Sequence, residues 1–145
     1  MTDKFTLDKS IGYLINKTAI KLKSELFNNF KSGGFNITTE QWAVLVCLKE
    51  KDGRTQNEIA EKLIKDKTNV SRILDGMEKR QLIERRAHES DRRSFRILIT
   101  PKAKALVEDL IPIARKLNKT ATDSLDKKDI RELERLMQVI YKNLA

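Results

Sequence analysis

The apolar positions of this chain recur at helical spacing through most of its length. Residues 8–31 carry one long stripe at three- and four-residue steps, and the glycine pair 33–34 predicts the end of that helix. A second helix is predicted to begin near Thr38, because Thr38 and Gln41 have the spacing of a capping box. Residues 42–48 are apolar on nearly all sides, so we expect this helix to be central and buried.

Two shorter stripes follow, in residues 55–63 and 67–81. The first opens with capping-box spacing at Thr55 and Glu58, and Asp66 is the expected N-cap of the second. The second helix has one apolar side, and its opposite side carries hydrogen-bond donors and few acidic residues near the N-terminal end. Such a pair predicts a helix-turn-helix whose second helix lies in a groove of DNA, although many helical bundles contain a similar pair. The apolar positions of the second helix are Val70, Ile73, Leu74 and Met77.

A period of two replaces the helical period in the next segment. Apolar and polar positions alternate in residues 83–88 and again in 95–99, and the polar stretch 89–94 between them predicts a hairpin with a charged tip. From Arg80 to Arg96 the segment has six arginines against three acidic residues. A planar guanidinium suits a narrow DNA groove. A helix-turn-helix followed by such a hairpin is a winged helix, and the alternative is a hairpin whose charges are merely solvated.

Two further long helices are predicted at the C-terminal end. Thr100 and Pro101 have the N-cap and first-turn preferences of a helix that continues to about residue 120, and Asp126 begins the last helix. Residues 130–144 repeat apolar side chains at three- and four-residue steps, as in a coiled coil. One compact chain would not cover the stripes of the first helix and the last two. We therefore expect a homodimer.

The composition of the chain indicates what kind of molecule it binds. The 145 residues are about the size of one domain, with 39% hydrophobic and 35% charged residues. The net charge of +9 predicts attraction to a polyanion such as nucleic acid. We expect a cytoplasmic protein, because the chain has a single cysteine, no signal-peptide core and no apolar run of membrane-spanning length.

Catalytic chemistry has little support in the sequence. There is one histidine and one cysteine, and no phosphate-binding glycine loop, metal-ligand spacing or nucleophile elbow. We therefore expect that the protein is not an enzyme and that it binds no metal or cofactor. Cys47 lies in the apolar run of the second helix, which favours a buried core thiol over a redox-active one.

Six short motifs stand in order along the chain: 41–45 (QWAVL), 55–60 (TQNEIA), 70–74 (VSRIL), 78–80 (EKR), 91–93 (DRR) and 99–100 (IT). In this order and at this spacing, they resemble the MarR family of bacterial winged-helix transcription regulators over nearly the whole chain. Two departures from the family are Gln81 and Ala103, where the family usually has glycine. If the backbone at Gln81 is left-handed, the side chain there costs on the order of 1 kcal/mol.

The resemblance implies a mainly α fold with a small β-hairpin, organised as a single MarR-like domain over residues 1–145. Residues 38–100 would form the winged helix-turn-helix, and residues 8–34 and 101–145 the dimerisation helices. The implied function is a sequence-specific DNA-binding transcriptional regulator, a repressor that binds a palindromic operator as a dimer. Two recognition helices would enter successive major grooves, and two wings the flanking minor grooves.

Carried over residue by residue, the resemblance also implies a DNA-binding set. The recognition helix would read base edges and nearby phosphates, Arg93 would enter the minor groove and Asp91 would brace the wing tip. The N-terminus of the preceding helix would contact a phosphate. The full set is Lys67, Thr68, Asn69, Ser71 and Arg72 in the recognition helix, Arg85, Asp91, Arg92 and Arg93 in the wing, and Thr55 and Gln56 at phosphate.

Two alternatives remain open at this stage. Tyr13 and Trp42 could line a cleft for a small aromatic or anionic effector, as in relatives that release DNA on binding one, or they could be core residues. The protein could also be a non-specific basic protein that coats DNA. Such a protein would not need Asn69, Ser71 and Arg72 together at the N-terminal end of one helix.

Overall fold

The structure is a computed structural model, and it describes residues 4–87, 90 and 95–145. Within these residues the chain forms six α-helices and three short β-strands, so the expected mainly α fold is confirmed. A short 3₁₀ turn, Leu7–Lys9, precedes the first helix. The elements are α1 (Ile11–Ser32), α2 (Thr39–Glu50), β1 (Arg54–Thr55), α3 (Gln56–Leu63), α4 (Lys67–Lys79), β2 (Ile83–Ala87), β3 (Phe95–Ile99), α5 (Pro101–Ala121) and α6 (Lys127–Leu144).

Most helices begin at the predicted caps. Thr38 Oγ1 accepts a hydrogen bond from the Gln41 N–H, and Gln41 Oε1 accepts one from the Thr38 N–H, both at 3.1 Å. This is the reciprocal capping box that the sequence predicts for α2. Thr100 caps α5 ahead of a first-turn proline, and Asp126 caps α6.

The predicted capping box at Thr55 forms only in part. Thr55 Oγ1 accepts from the Glu58 N–H at 3.2 Å, but the Glu58 carboxylate accepts from the Thr55 hydroxyl and not from its backbone N–H. Thr55 is at the same time the last residue of β1, which pairs with β3. The residue therefore serves a strand and a helix at once, and this dual role is not visible in the local sequence.

The predicted hairpin belongs to a three-stranded antiparallel sheet with the order β1-β3-β2. The pairing of β2 with β3 runs from Ile83 opposite Ile99 to Ala87 opposite Phe95. The alternation of the sequence holds at the base of the hairpin, where Ile83, Ile97 and Ile99 are buried, and is lost towards its tip, where Ala87 and Phe95 are exposed. The outer ends of β2 and β3 are therefore exposed to solvent, as expected for a wing.

The core lies between α2, α3, α4, α5 and the sheet, and Phe30 joins it from α1. Trp42 packs edge-on against Phe30, with ring centroids 5.4 Å apart. Cys47 is buried, as predicted, and its burial raises the pKa of the thiol, partly opposed by the nearby Arg54 guanidinium. A buried, protonated thiol behaves as a small apolar core residue.

Two helices leave most of their apolar side chains uncovered within one chain. α6 buries no residue. On its apolar side, Leu133, Met137 and Leu144 are 50%, 42% and 83% exposed. α1 buries only Phe30 and likewise exposes Ile11 and Ile20. No helix in the described part of the chain is long and apolar enough to span a membrane.

The left-handed backbone anticipated at Gln81 is present. Its φ is +59°, and Thr100 Oγ1 donates to its carbonyl oxygen at 2.8 Å, so the strained residue is held firmly. A second strained residue, Ile64 with φ +54°, ends α3 in the turn of the helix-turn-helix. A β-branched side chain is unfavourable in this region because its Cβ crowds the following carbonyl.

We predict that Gln81→Gly stabilises the fold by about 1 kcal/mol, because glycine adopts positive φ without the Cβ clash. Gln81→Ala is the matched control, since it removes the exposed side chain but keeps the Cβ, and it should leave the stability nearly unchanged. The free energy of unfolding would be measured by urea denaturation at one fixed protein concentration. Equal effects of the two substitutions would contradict this explanation.

Candidate nucleic-acid interface

The rotation of α4 about its own axis is set by its buried stripe. Val70, Leu74 and Met77 are fully buried, and α4 packs against α3 and β2. The opposite side therefore faces solvent. There, Lys67, Thr68, Asn69 and Arg72 are exposed and Ser71 is half-buried, so the five predicted residues of this helix lie together at its N-terminal end.

Asp66, the N-cap of α4, accepts hydrogen bonds from a side chain as well as from the backbone. Asp66 Oδ1 accepts from the Asn69 N–H at 2.8 Å, and Asp66 Oδ2 accepts from Asn69 Nδ2 at 2.9 Å. One carboxylate thus fixes both the first turn of the helix and the side-chain amide of Asn69. Fixing the amide before DNA arrives reduces the side-chain entropy lost on binding.

Arg72 is a free cation on this face. It is exposed, and within the described residues it makes neither an ion pair nor a side-chain hydrogen bond. It borders a shallow depression together with Lys67, Thr68, Ser71 and Asp75. An unpaired guanidinium beside hydroxyl and amide groups can donate to a base edge or a phosphate oxygen.

Arg85, predicted as a wing contact to DNA, has partners within the protein. Its Nη1 lies 2.7 Å from Asp75 Oδ1 and 3.3 Å from Glu78 Oε1, and its Nη2 donates to the Ser71 carbonyl oxygen at 3.4 Å. The side chain is only 16% exposed. Its role at DNA stays a prediction, but the geometry connects the wing to α4.

The wing carries two arginines that the sequence analysis did not single out. Arg86 on β2 and Arg96 on β3 are exposed and directly opposite each other in the sheet register. Like charges opposite each other across two strands are unfavourable unless an anion lies nearby, and here the Glu84 carboxylate lies 3.5 Å from Arg86 Nη2. Strand register would have revealed this pair, but register is not readable from alternation alone. Asp91, Arg92 and Arg93 lie outside the described residues.

The two predicted phosphate contacts differ in availability. The Thr55 hydroxyl is already used by the cap of α3. Gln56, the first residue of α3, is half-buried, and its amide makes no side-chain hydrogen bond within the described residues. Both phosphate contacts stay predictions. The Gln56 amide is more available to a phosphate than the Thr55 hydroxyl, which the cap of α3 already uses.

The structure does not bring Tyr13 and Trp42 together within one chain. Trp42 packs on Phe30, and Tyr13 precedes Phe30 by 17 residues on α1. The rise of the helix therefore places Tyr13 about 25 Å from Phe30, and hence far from Trp42. The Tyr13 ring instead lies beneath Lys17 Nζ, at 5.7 Å from its centroid. Their role at an effector stays a prediction, and one cleft could include both only if a second chain contributed one of them.

A pocket elsewhere was missed by the sequence analysis. It has a volume of about 470 Å³ and lies between α2, the end of β3 and α5. Its floor is apolar, with Leu48, Ile99 and Val107. The rim is charged: Lys49 Nζ lies 3.0 Å from Glu108 Oε1, and Lys104 and Asp52 line the same rim. Its size is in the range of small-molecule sites.

The region that carries this geometry is similar to a known protein family. Residues 37–95, which include α2, the helix-turn-helix and the start of β3, match the model of the MarR family. The transcriptional repressor MprA of Escherichia coli (strain K12) is 27% identical over 138 residues, 87% of this chain and 78% of that protein.

Solved structures share the fold over nearly the whole chain. A MarR transcriptional regulator from Methanosarcina mazei Go1 has a TM-score of 0.82 and 25% identity, over 92% of this chain and 94% of that one. The transcriptional repressor CouR, bound to a 23-mer DNA duplex, has a TM-score of 0.83 and 24% identity, over 96% of this chain and 99% of that one. The chain is thus similar to the MarR family model over residues 37–95, and to transcriptional regulators of that family over most of its length.

Proposed function

We propose that this protein represses transcription by binding a palindromic DNA operator as a homodimer. One observation carries the DNA part of the proposal: α4 buries its apolar stripe and turns Thr68, Asn69 and Arg72 outward together, with Arg72 unpaired. Within this proposal, residues 38–100 are the DNA-binding part of a single domain. The repressor role is supported by the likeness to MprA and by the DNA-bound CouR, which are both named repressors.

The uncovered helices support the homodimer. The apolar sides of α1 and α6 come from the two ends of the chain, and Phe5 and Leu7 before α1 and Tyr141 on α6 are exposed as well. Water would surround this apolar surface in a monomer, at a cost of roughly 25 cal/mol per Å². A second copy of the chain offers the same surface, and pairing α1 and α6 with their equivalents would cover both. The two α4 helices would then be held at a fixed distance, as a palindrome requires.

We predict that selection of purified protein against randomised duplex DNA, followed by sequencing, enriches an inverted repeat whose half-site centres are about 10 bp apart. Arg72→Ala should weaken binding by roughly 1–3 kcal/mol and lose the preference at one position of each half-site. Lys79→Ala, on the same exposed side but at the other end of α4, is the control for loss of one positive charge. Retention of DNA without any enriched motif, falling steeply with salt, would instead indicate a non-specific DNA-coating protein.

We also propose that a small aromatic acid releases the DNA. The pocket between α2 and α5 supports this, since its apolar floor suits an aromatic ring and Lys104 on its rim suits a carboxylate. CouR from Rhodococcus jostii RHA1 has been solved with p-coumaroyl-CoA bound, an aromatic acyl ligand. The pocket adjoins both β3 and α5, so a ligand there would contact the wing and the dimerisation helix at once.

In a panel of benzoate derivatives, at least one is expected to release the selected DNA from the wild-type protein at millimolar concentration or below. Lys104→Ala should weaken this response about tenfold, because it removes the charge that faces the carboxylate. Lys116→Ala removes an exposed lysine elsewhere on α5 and should respond like the wild type. The assay is fluorescence anisotropy of labelled DNA. An equal response of both variants, or no response to any acid, would contradict the assignment of the pocket.

A further inference from the structure

The side chain of Arg85 connects two elements that both face DNA in the proposed function. It extends from β2, the first strand of the wing, and its three partners Ser71, Asp75 and Glu78 all lie on α4. The neighbouring Arg86 on the same strand is 69% exposed, against 16% for Arg85. Two consecutive arginines therefore have opposite environments, one within the protein and one in solvent.

The three partners of Arg85 form a single row on α4. Ser71, Asp75 and Glu78 are spaced by four and three residues, which places them one above another on the helix surface. At about 100° per residue this row borders the exposed face that carries Thr68 and Arg72. The guanidinium of Arg85 thus lies between α4 and the wing, at one edge of the exposed face that carries Thr68 and Arg72, which we call the reading face.

The ion pair of Asp75 with Arg85 also keeps the Asp75 carboxylate from pairing with Arg72. Asp75 follows Arg72 by three residues, which is a spacing at which oppositely charged side chains pair on a helix. Both residues line the depression in front of α4, yet the carboxylate is paired with Arg85. Without Arg85, the Asp75 carboxylate would be free to pair with Arg72, and two uncompensated acids would face the DNA phosphates.

We propose that Arg85 is a positioning residue for DNA recognition and not itself a DNA contact. It holds the carboxylates of Asp75 and Glu78 away from Arg72 and fixes the wing relative to α4. This inference rests on the proposed function, because it concerns how the DNA-reading face is kept available. It differs from the role that the family resemblance implies for this arginine.

A double-mutant cycle separates the two roles. Affinity for the selected operator would be measured for Arg85→Met in the wild-type background and in the Asp75→Asn, Glu78→Gln background. A positioning role predicts a loss of about tenfold in the first background and of less than about twofold in the second, because the acids that Arg85 neutralises are then absent. An arginine that contacts DNA would lose the same affinity in both backgrounds, and this result would overturn the proposal.

Arg86→Met is the matched control, since it removes the same charge from the next residue without any tie to α4. Its effect should be equal in both backgrounds. Salt dependence gives a second readout: loss of one phosphate contact lowers the slope of log affinity against log salt by about 0.9, and Arg85→Met should leave the slope unchanged. If Arg85→Met does not fold, as judged by circular dichroism, Arg85→Lys replaces it, because a single ammonium cannot span both acids and the carbonyl.

The proposed function is checked in the same experiment. If the wild-type protein has no preference for the selected operator over random DNA, the proposed function fails. If the preference is present and the cycle is additive, only the role of Arg85 is wrong.

Discussion

Burial of one side of α4 determines what the other side can do. Val70, Leu74 and Met77 are fully buried, and complete burial of an aliphatic side chain stabilises a fold by roughly 1.5–3 kcal/mol. Rotation of the helix by even one residue would expose part of this stripe and bury a polar group. The orientation of Thr68, Asn69 and Arg72 is therefore determined by the core, and the cap at Asp66 adds about 1 kcal/mol at the helix start. A reading face built on a rigid element needs little reorganisation when DNA binds.

The charges of the molecule are distributed so that the reading face stays available. The acidic residues Asp75 and Glu78 of α4 are paired with Arg85, whereas Arg72 faces solvent without a partner among the described residues. The net charge of +9 would attract any polyanion, so charge alone does not distinguish a regulator from a DNA-coating protein. That distinction depends on which side chains are paired. Ion pairs within the protein decide this, and they are not readable from composition.

Much of the fold was predictable because it follows from local chemistry. The caps at Thr38, Asp66 and Thr100 formed as predicted, since each depends on residues three positions apart. The strand β1 was missed because two residues are too short to show alternation, and its pairing with β3 joins segments about 40 residues apart in the chain. The partners of Arg85 were missed for a similar reason. An alternating strand predicts which residues share a face, but not which helix lies above that face.

The candidate site was predictable in its position and less so in its roles. The N-terminal end of α4 followed from periodicity and capping, whereas the commitment of the Thr55 hydroxyl to Glu58 required the folded structure. The distance between Tyr13 and Trp42 likewise follows from the tertiary packing, because Trp42 of α2 contacts Phe30 near the far end of α1. A pocket formed by α2, β3 and α5 collects residues from three separate segments, and no local pattern marks such a set.

In the proposed homodimer, the helices at the chain ends hold the two copies of α4 at one fixed separation. Affinity for an operator with altered half-site spacing tests this claim most directly. Insertion of about 5 bp turns one half-site to the opposite side of the duplex, so binding should fall to the level of random DNA. Binding that is unchanged by the insertion would mean that each chain reads its half-site independently, and would contradict the claim.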